Sequence, residues 1–467
     1  MKRSIVWFRN DLRLHDNEAL LDAIKDNDEI IPVYIFDDRI FEGITSFGMP
    51  KTGAHRLRFI NESVIDLRNN LRALGSELYI RYGLPEEVLP EIAIQYKTGY
   101  VYCNRERTEE EVQVQDALEH ELWSIGQEMR YFRGKMLYHT SDLPFPITHC
   151  PDHFTTFRKE VEKFVDIRKP LEAPDKPITP LTEDIESGEL KSLDGTESTF
   201  KGDGSFDFNG GEDAALARLK YYLWDTDLLS TYKETRNGLL GGDYSSKFSA
   251  YLAQGCISPK LIYEEIKKYE QERGSNQSTY WLVFELLWRD YFRFMAKKHG
   301  NKIFLESGIA GKRIEPSYNN DVLFKKWCDG MTGIPFVDAN MRELNGTGYM
   351  SNRGRQNVAS FLVKDMHINW ILGAQYFESQ LIDYDPCSNY GNWNYVAGVG
   401  TDPRSDRYFS IPVQVKKYDA NGEYIRHWIP ELSEAPLDFL INPFSGNYKA
   451  SAETKYPQPC VHIKKWN

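Results

Sequence analysis

Residues 381–400 read LIDYDPCSNYGNWNYVAGVG. Twenty positions hold Asp383 and Asp385, three asparagines including Asn389, three tyrosines including Tyr395, and Trp393, with no histidine and no lysine. General acid–base and nucleophilic catalysis normally rest on a tunable base or an activated nucleophile. This stretch has neither. Its carboxylates, amides and large rings pose a question: which chemistry needs polar groups packed among aromatics and no conventional base?

Three further segments carry similar residue types. FELLWRDYFRF (284–294) has helical period, which places Glu285, Trp288, Arg289 and Phe292 on one face. It reads either as an amphipathic helix with a Glu–Arg pair or as an aromatic platform flanked by a carboxylate and a guanidinium. TGYMSNRGRQNVASFLVKD (347–365) reads as a loop and then a helix, with Asn352, Arg355 and Gln356 sharing a face. GGDYSSKFSAYLAQG (241–255) sets Ser245, Ser246 and Ser249 around a helix start, either an ordinary N-cap or a phosphate cradle. Trp370 and Trp393 lie outside these clusters; buried tryptophans are usually core, and nothing in their spacing says otherwise. No G-x-G-x-x-G follows a strand, so a dinucleotide would not sit in a Rossmann crevice.

The elements that must position these residues fall into two kinds. SIVWF, IIPVYIF, ELYIRYG and YVYCN are short β-branched runs at 4–8, 30–36, 77–83 and 100–104, alternating with helical segments such as 55–75. That alternation predicts an α/β N-terminal domain with a parallel sheet over residues 1–130. Residues 131–210 are proline-rich with little periodicity and read as a long interdomain linker. Residues 211–430 show helical recurrence throughout, and 431–467 read as an irregular tail.

The chain has 467 residues, 41% hydrophobic and 13% aromatic, with a net charge of −12. Residues 1–200 carry 25 basic and 37 acidic side chains, and the remainder carries 32 of each. The acidity thus belongs to the first part, and a basic groove in the second remains compatible with nucleic acid. Six singly spaced cysteines read as reduced thiols in a cytoplasmic protein, with no metal site. No apolar run has transmembrane length, and the N-terminal run is too short for a secretory signal.

Together these segments resemble the photolyase/cryptochrome family. WFRNDLRLHDN (7–17) is similar to its N-terminal signature. ETRNGLLGGDYSSKFSAYLAQGCISP, FELLWRDYF, GIPFVDANMRELNGTGYMSNRGRQNVASFLVKD and DYDPCSNYGNWNYVAGVGTDPR resemble its flavin domain. YKETRNG, SNRGRQNVASF and CSNYGNW resemble the DASH-type cryptochromes, and the likeness runs from about residue 3 to 430. The resemblance implies an antenna domain, a linker and an all-helical domain holding FAD in a folded, U-shaped form. It implies blue-light-driven splitting of cyclobutane pyrimidine dimers by an electron from reduced flavin. That answers the opening question: a cofactor carries the hard chemistry and the protein supplies position and electrostatics.

The resemblance also implies residue roles. Asn389 matches the asparagine facing the flavin's redox-active nitrogen, Asp383 the aspartate paired with Arg355, and Asp385 an acceptor near the flavin's pyrimidine edge or ribose. Tyr232, Ser245, Ser246, Lys247, Phe248 and Ser249 match the pyrophosphate cradle, and Arg289 and Asn352 match further flavin contacts. Glu285 matches the carboxyl group that bonds the dimer's carbonyls, and Trp288 an aromatic wall for flipped-out bases. Trp393 and Trp370 match the inner and middle members of an electron-transfer chain. The outer place holds Ser317 and Tyr318, so either Tyr318 substitutes or the chain stops early.

Gln356 and Tyr395 stand where duplex-repairing photolyases carry Met and Trp. Stacking is worth about 1–3 kcal/mol per base and flipping from duplex costs a few kcal/mol, so the resemblance implies single-stranded DNA as substrate. Histidines expected of a (6-4) photolyase at 352 and 356 are absent. The antenna implied is methenyltetrahydrofolate, contacted by Glu110, whose acidic helix also reads as a solvated charge run. A monomer is expected. The alternative is a blue-light photoreceptor signalling through flavin redox state with little repair. Glu285 and Trp288 favour the enzyme.

Overall fold

The computed structural model describes residues 2–175, 178, 185–190, 206–312, 320–402, 404, 407–445 and 456–466. Strands β1 (Arg3–Phe8), β2 (Glu29–Asp37), β3 (Tyr79–Gly83), β4 (Tyr100–Asn104) and β5 (Glu128–Phe132) form one parallel sheet ordered β3-β2-β1-β4-β5. β1 pairs with β2 from Arg3↔Glu29 and with β4 from Ser4↔Tyr100. Parallel neighbours need crossovers, and helices supply them: α1 (Glu18–Asp26), α2 (Ala54–Ala73), α3 (Pro85–Tyr96) and α4 (Glu109–Ser124). Alternate residues of β1 enter two separate cores. Val6 and Phe8 pack with Phe59, Val64 and Leu67 of α2. Ile5 and Trp7 pack with Leu89 and Ile92 of α3 and Leu118 and Leu122 of α4. Both faces are covered, which is why β2 is buried along its whole length.

The four expected strands are present. β5 was not expected from the sequence: EMRYF is short, interrupted by charge, and sits at the sheet's edge with one neighbour. Within the segment expected to be aperiodic lies a helix, α5 (Phe154–Phe164), whose Phe154, Phe157 and Val161 are buried along one face. Its charged outer face and the flanking prolines hide that stripe from a reading of composition.

Beyond residue 206 every regular element among the described residues is a helix. The elements that matter for the site are α6 (Ser249–Gln254), α7 (Gln277–His299), α8 (Pro335–Thr347), α9 (Asn352–Ser360), α10 (Trp370–Gln380) and α11 (Pro386–Ala397). Asn276 caps α7 by accepting the backbone N–H groups of Ser278 and Thr279, and Lys297, Lys298 and His299 complement the dipole of its last turn. α11 starts on an Asp385 cap with Pro386 in its first turn and ends on left-handed Gly398. Two glycines set its approach. A Cβ on Gly391 would fall 2.4 Å from the Phe292 ring of α7, and one on Gly373 of α10 would fall 2.3 Å from the Trp393 ring. The described part of the tail beyond residue 430 holds short helical turns between irregular stretches; Tyr456 is buried against Asp338 and the Trp466 indole donates to the Tyr408 hydroxyl.

Four buried charges join the sheet to the helices. Lys135, following β5, contacts Glu106, following β4. Arg293 of α7 donates to Glu106 at 3.0 Å and to Asp385 at 2.6 Å. Burial opposes ionisation of Glu106, but Lys135 and Arg293 outweigh it and hold its carboxyl far below the usual range. Burial likewise opposes Asp385, and Arg293 and Arg289 bring it below the ordinary aspartate value. Depressed carboxylates contribute stability that is fully present above the unfolded values of about 4 and is lost as pH falls through the folded values. Removing one partner of a buried pair costs about 3–5 kcal/mol. Arg293→Met is therefore expected to lower stability by that amount in urea unfolding near neutral pH, and to make the loss on acidification shallower. An unchanged midpoint would contradict this role.

Candidate functional site

Two cavities in the helical part share a wall. The inner one, about 300 Å³, is lined by Tyr232, residues 244–249, Arg289, Asn352, Arg355, Asp383, Asp385, Asn389 and Trp393 among others. The outer one, about 550 Å³, is lined by Trp288, Arg353, Lys233 and Trp281. Arg236, Glu285, Arg289, Asn352, Gln356, Tyr395 and Arg407 line both, so a group in the inner cavity faces the mouth across a shared wall.

The turn before α6 is shaped by Arg218. Its guanidinium donates to the backbone carbonyls of Gly242, Ser245 and Ser246 at 2.8–3.1 Å, and Lys247 takes a left-handed φ of 61°. The Lys247 ammonium lies 3.6 Å from the Tyr244 ring centre and 4.4 Å from that of Tyr349. Burial pushes this lysine down to about 7, against the pull of Glu343, which is itself pushed up to about 7 by burial.

Arg355 is fixed by two acceptors: its Nε donates to the Met350 carbonyl at 2.9 Å and its Nη2 to Asp383 Oδ2 at 2.8 Å. Asp383 Oδ1 is buried without a hydrogen-bond partner. A buried acceptor of this kind calls for a donor from a bound group. The Asn389 amide donates to the Ala374 carbonyl of α10 at 2.9 Å, which leaves its oxygen as an acceptor on the cavity side. Arg289 spans to the carbonyls of Lys135 and Leu252. An uncompensated carboxylate oxygen, an amide and two guanidiniums around an apolar floor fit the polar edge and phosphates of a flavin dinucleotide.

At the mouth, Glu285 pairs with Arg236 at 2.5 Å. Burial raises the Glu285 carboxyl, and Arg236 opposes the rise. One face of Trp288 is stacked on Phe154 at 3.7 Å and 8°, and its edge meets Tyr395 at 5.7 Å. The Tyr395 hydroxyl lies 3.3 Å from Thr401 Oγ1 and 3.4 Å from the Tyr291 hydroxyl. Gln356 accepts from Arg353 at 2.9 Å.

The expected residues 232, 245–249, 285, 288, 289, 352, 355, 356, 383, 385, 389, 393 and 395 thus converge on the two cavities. Trp370 and Glu110 line neither. Trp370 is buried on α10, donating to the Glu306 carbonyl at 3.0 Å. The Trp393 ring centre lies 5.2 Å from Phe377 and 6.4 Å from Trp327. Glu110 is exposed on α4 and paired with Lys51 at 2.7 Å. Tyr318 lies outside the described residues. The sequence reading missed Arg218, Arg236, Arg353 and Arg407. They lie in separate segments, and the fold brings them together.

With this geometry in hand, comparison with known proteins is direct. Residues 4–176 match the family model described as DNA photolyase, and residues 281–467 match the FAD binding domain of DNA photolyase. Cryptochrome DASH of Synechocystis sp. is 49% identical over 98% of this chain and 95% of its own, and that of Xenopus laevis is 48% identical over 99% and 90%. The crystal structure of Synechocystis sp. PCC6803 cryptochrome superposes with a TM-score of 0.94 at 48% identity, covering 99% of this chain and 97% of that one. A bacterial class III photolyase from Agrobacterium tumefaciens superposes with a TM-score of 0.83 at 29% identity, covering 100% and 95%. The fold is that of the photolyase and cryptochrome flavoproteins. Within that class the chain belongs to the cryptochrome DASH family.

A charged hydrogen bond is worth about 1.5–3 kcal/mol, or roughly 10–100-fold in affinity. Asp383→Asn is expected to weaken FAD retention by that factor, read as flavin released by acid per mole of protein. Full retention would remove Asp383 from the cofactor site.

Proposed function

We propose that the protein is a blue-light-driven lyase that splits cyclobutane pyrimidine dimers in single-stranded DNA. The observation that carries this reading is the shared wall. Glu285 and Trp288 stand at a mouth that shares Arg236, Glu285, Arg289 and Asn352 with the cavity holding Arg355, Asp383 and Asn389. FAD, when bound and reduced, supplies under blue light the electron that opens the dimer. The rest falls to the chain. Tyr232, the Ser245–Ser249 turn and Lys247 hold the pyrophosphate, Arg289, Asn352 and Asp385 hold the remaining polar edges, and Asn389 presents a neutral amide to the ring. Trp393 and Trp370, with Tyr318 as a candidate outer member, carry electrons inward.

At the mouth, Trp288 is braced by Phe154 and offers its free surface to an extruded base. Arg236, Arg353 and Arg407 supply positive charge for the DNA backbone. A phosphate drawn to Arg236 competes with Glu285 for that guanidinium. Losing it removes the group that opposes the rise of the Glu285 carboxyl. The protonated acid can then donate to a pyrimidine carbonyl and steady the negative charge that develops there. For the antenna, the reading assigns residues 1–130 a methenyltetrahydrofolate near Glu110 and Lys51. Residues 131–210 serve as the connection, 211–430 as the catalytic domain and 431–467 as the tail.

Tyr395 and Gln356 spend their polar groups on Thr401, Tyr291 and Arg353, so they offer less stacking to offset flipping a dimer out of duplex. Turnover under blue light is expected to be at least tenfold faster on a thymine dimer in single-stranded than in matched duplex oligonucleotides. Gln356→Met with Tyr395→Trp is expected to narrow that gap. Equal rates on both substrates, or no repair of either by the reduced holoprotein, would overturn the proposal. Glu110→Ala is expected to lose a near-ultraviolet folate absorption band while keeping FAD. A band that survives would place the antenna elsewhere.

A further inference from the structure

Tyr390 has no part in the roles assigned above, yet its surroundings are specific. It is buried on α11, next to Asn389. Its ring centre lies 6.2 Å from that of Trp370, at 75°, and 4.6 Å from that of Phe304. Its hydroxyl donates to Glu378 Oε2 of α10 at 3.2 Å, and Glu378 is also buried. Trp370, by contrast, has only the Glu306 backbone carbonyl for its indole N–H, and a carbonyl does not accept a proton outright. A Trp370 that has lost an electron therefore keeps its proton and remains a cation in a buried place, which is costly. Tyr390 has what Trp370 lacks, a carboxylate already bonded to the proton it must release.

We propose that Tyr390 and Glu378 act together as the terminal electron and proton donor to Trp370. The inference rests on the reading in which Trp393 and Trp370 carry electrons toward the flavin. The oxidant is photoexcited oxidised flavin, which draws one electron through Trp393 from Trp370. One electron then passes from Tyr390 to the Trp370 cation radical and restores the neutral indole. The phenol O–H bond breaks, its proton goes to Glu378 Oε2, and Tyr390 is left as a neutral phenoxyl radical. Before this step the cluster holds a buried cation and a buried carboxylate. Afterwards Trp370 and Glu378 are both neutral, and the buried Arg56 beside Glu378 keeps its charge.

The setting of Glu378 suits the part. Burial raises the Glu378 carboxyl against the pull of Arg56 of α2 and Lys51; Glu110 adds to the rise, and a hydrogen bond from Tyr384 opposes it. A carboxylate raised in this way is a stronger proton acceptor than one in water.

Flash absorption and electron paramagnetic resonance of the oxidised holoprotein test the assignment. The native protein is expected to show a tyrosyl radical growing in as the tryptophan cation radical decays, more slowly in D2O. Tyr390→Phe, which keeps the ring, is expected to abolish the tyrosyl signal and lengthen the tryptophan radical's life about tenfold or more. Glu378→Gln keeps a hydrogen-bond acceptor but no proton sink, and is expected to lose the tyrosyl signal too, whereas Tyr318→Phe is expected to keep it. FAD content and thermal midpoint of each variant check the fold. Unchanged radical kinetics in Tyr390→Phe, with photoreduction abolished in Trp393→Phe, would overturn this inference and leave the reading beneath it intact. Photoreduction unaffected by Trp393→Phe would overturn that reading, and the couple with it.

Discussion

Arg293 is the constraint on which the rest depends. It sits in the middle of α7, buried, with Glu106 from the sheet on one side and the cap of α11 on the other. A guanidinium in that position costs several kcal/mol to desolvate, and it is tolerated because two carboxylates accept from it. Those carboxylates come from parts of the chain 279 residues apart at Glu106 and Asp385. One charge therefore fixes how the α/β layer meets the helices and where α11 begins. Since α11 carries Asn389, Trp393 and Tyr395, the same constraint places both the inner cavity and its mouth.

From there the site divides by polarity. The inner cavity is held by groups with one bond satisfied inside the protein and one left over, as at Asp383 and Asn389. The mouth is held by aromatics locked by their own neighbours, as Trp288 is by Phe154, and by guanidiniums held on carboxylates, as Arg236 is on Glu285. Close helix approach at Gly373 and Gly391 lets the Trp393 and Phe292 rings pack where a side chain would collide. Preorganisation of this kind matters where the protein's contribution is placement and field rather than proton transfer.

Much of this was legible in the sequence because period and residue type agree. Glu285 and Trp288, or Asn352, Arg355 and Gln356, share a helix face by arithmetic alone. The first four strands stand out as apolar, β-branched runs. What was hidden depends on contacts between distant segments. β5 is short and charged at an edge. The apolar stripe of α5 lies within a proline-rich stretch. Arg218, Arg236, Arg293 and Arg407 are single basic residues whose partners are named only by the fold. Tyr390 reads as one more aromatic until its hydroxyl is found on Glu378.

The account's central claim is that the mouth takes a flipped-out dimer directly above the flavin cavity, with Arg236 released from Glu285 to a phosphate. The most direct measurement is a structure of the holoprotein, grown in the dark, with a single-stranded oligonucleotide carrying one thymine dimer. The account requires the dimer against Trp288, a carbonyl within hydrogen-bond distance of Glu285, and Arg236 on the DNA backbone. A dimer bound outside the mouth, or Glu285 still paired with Arg236 beneath it, would contradict it.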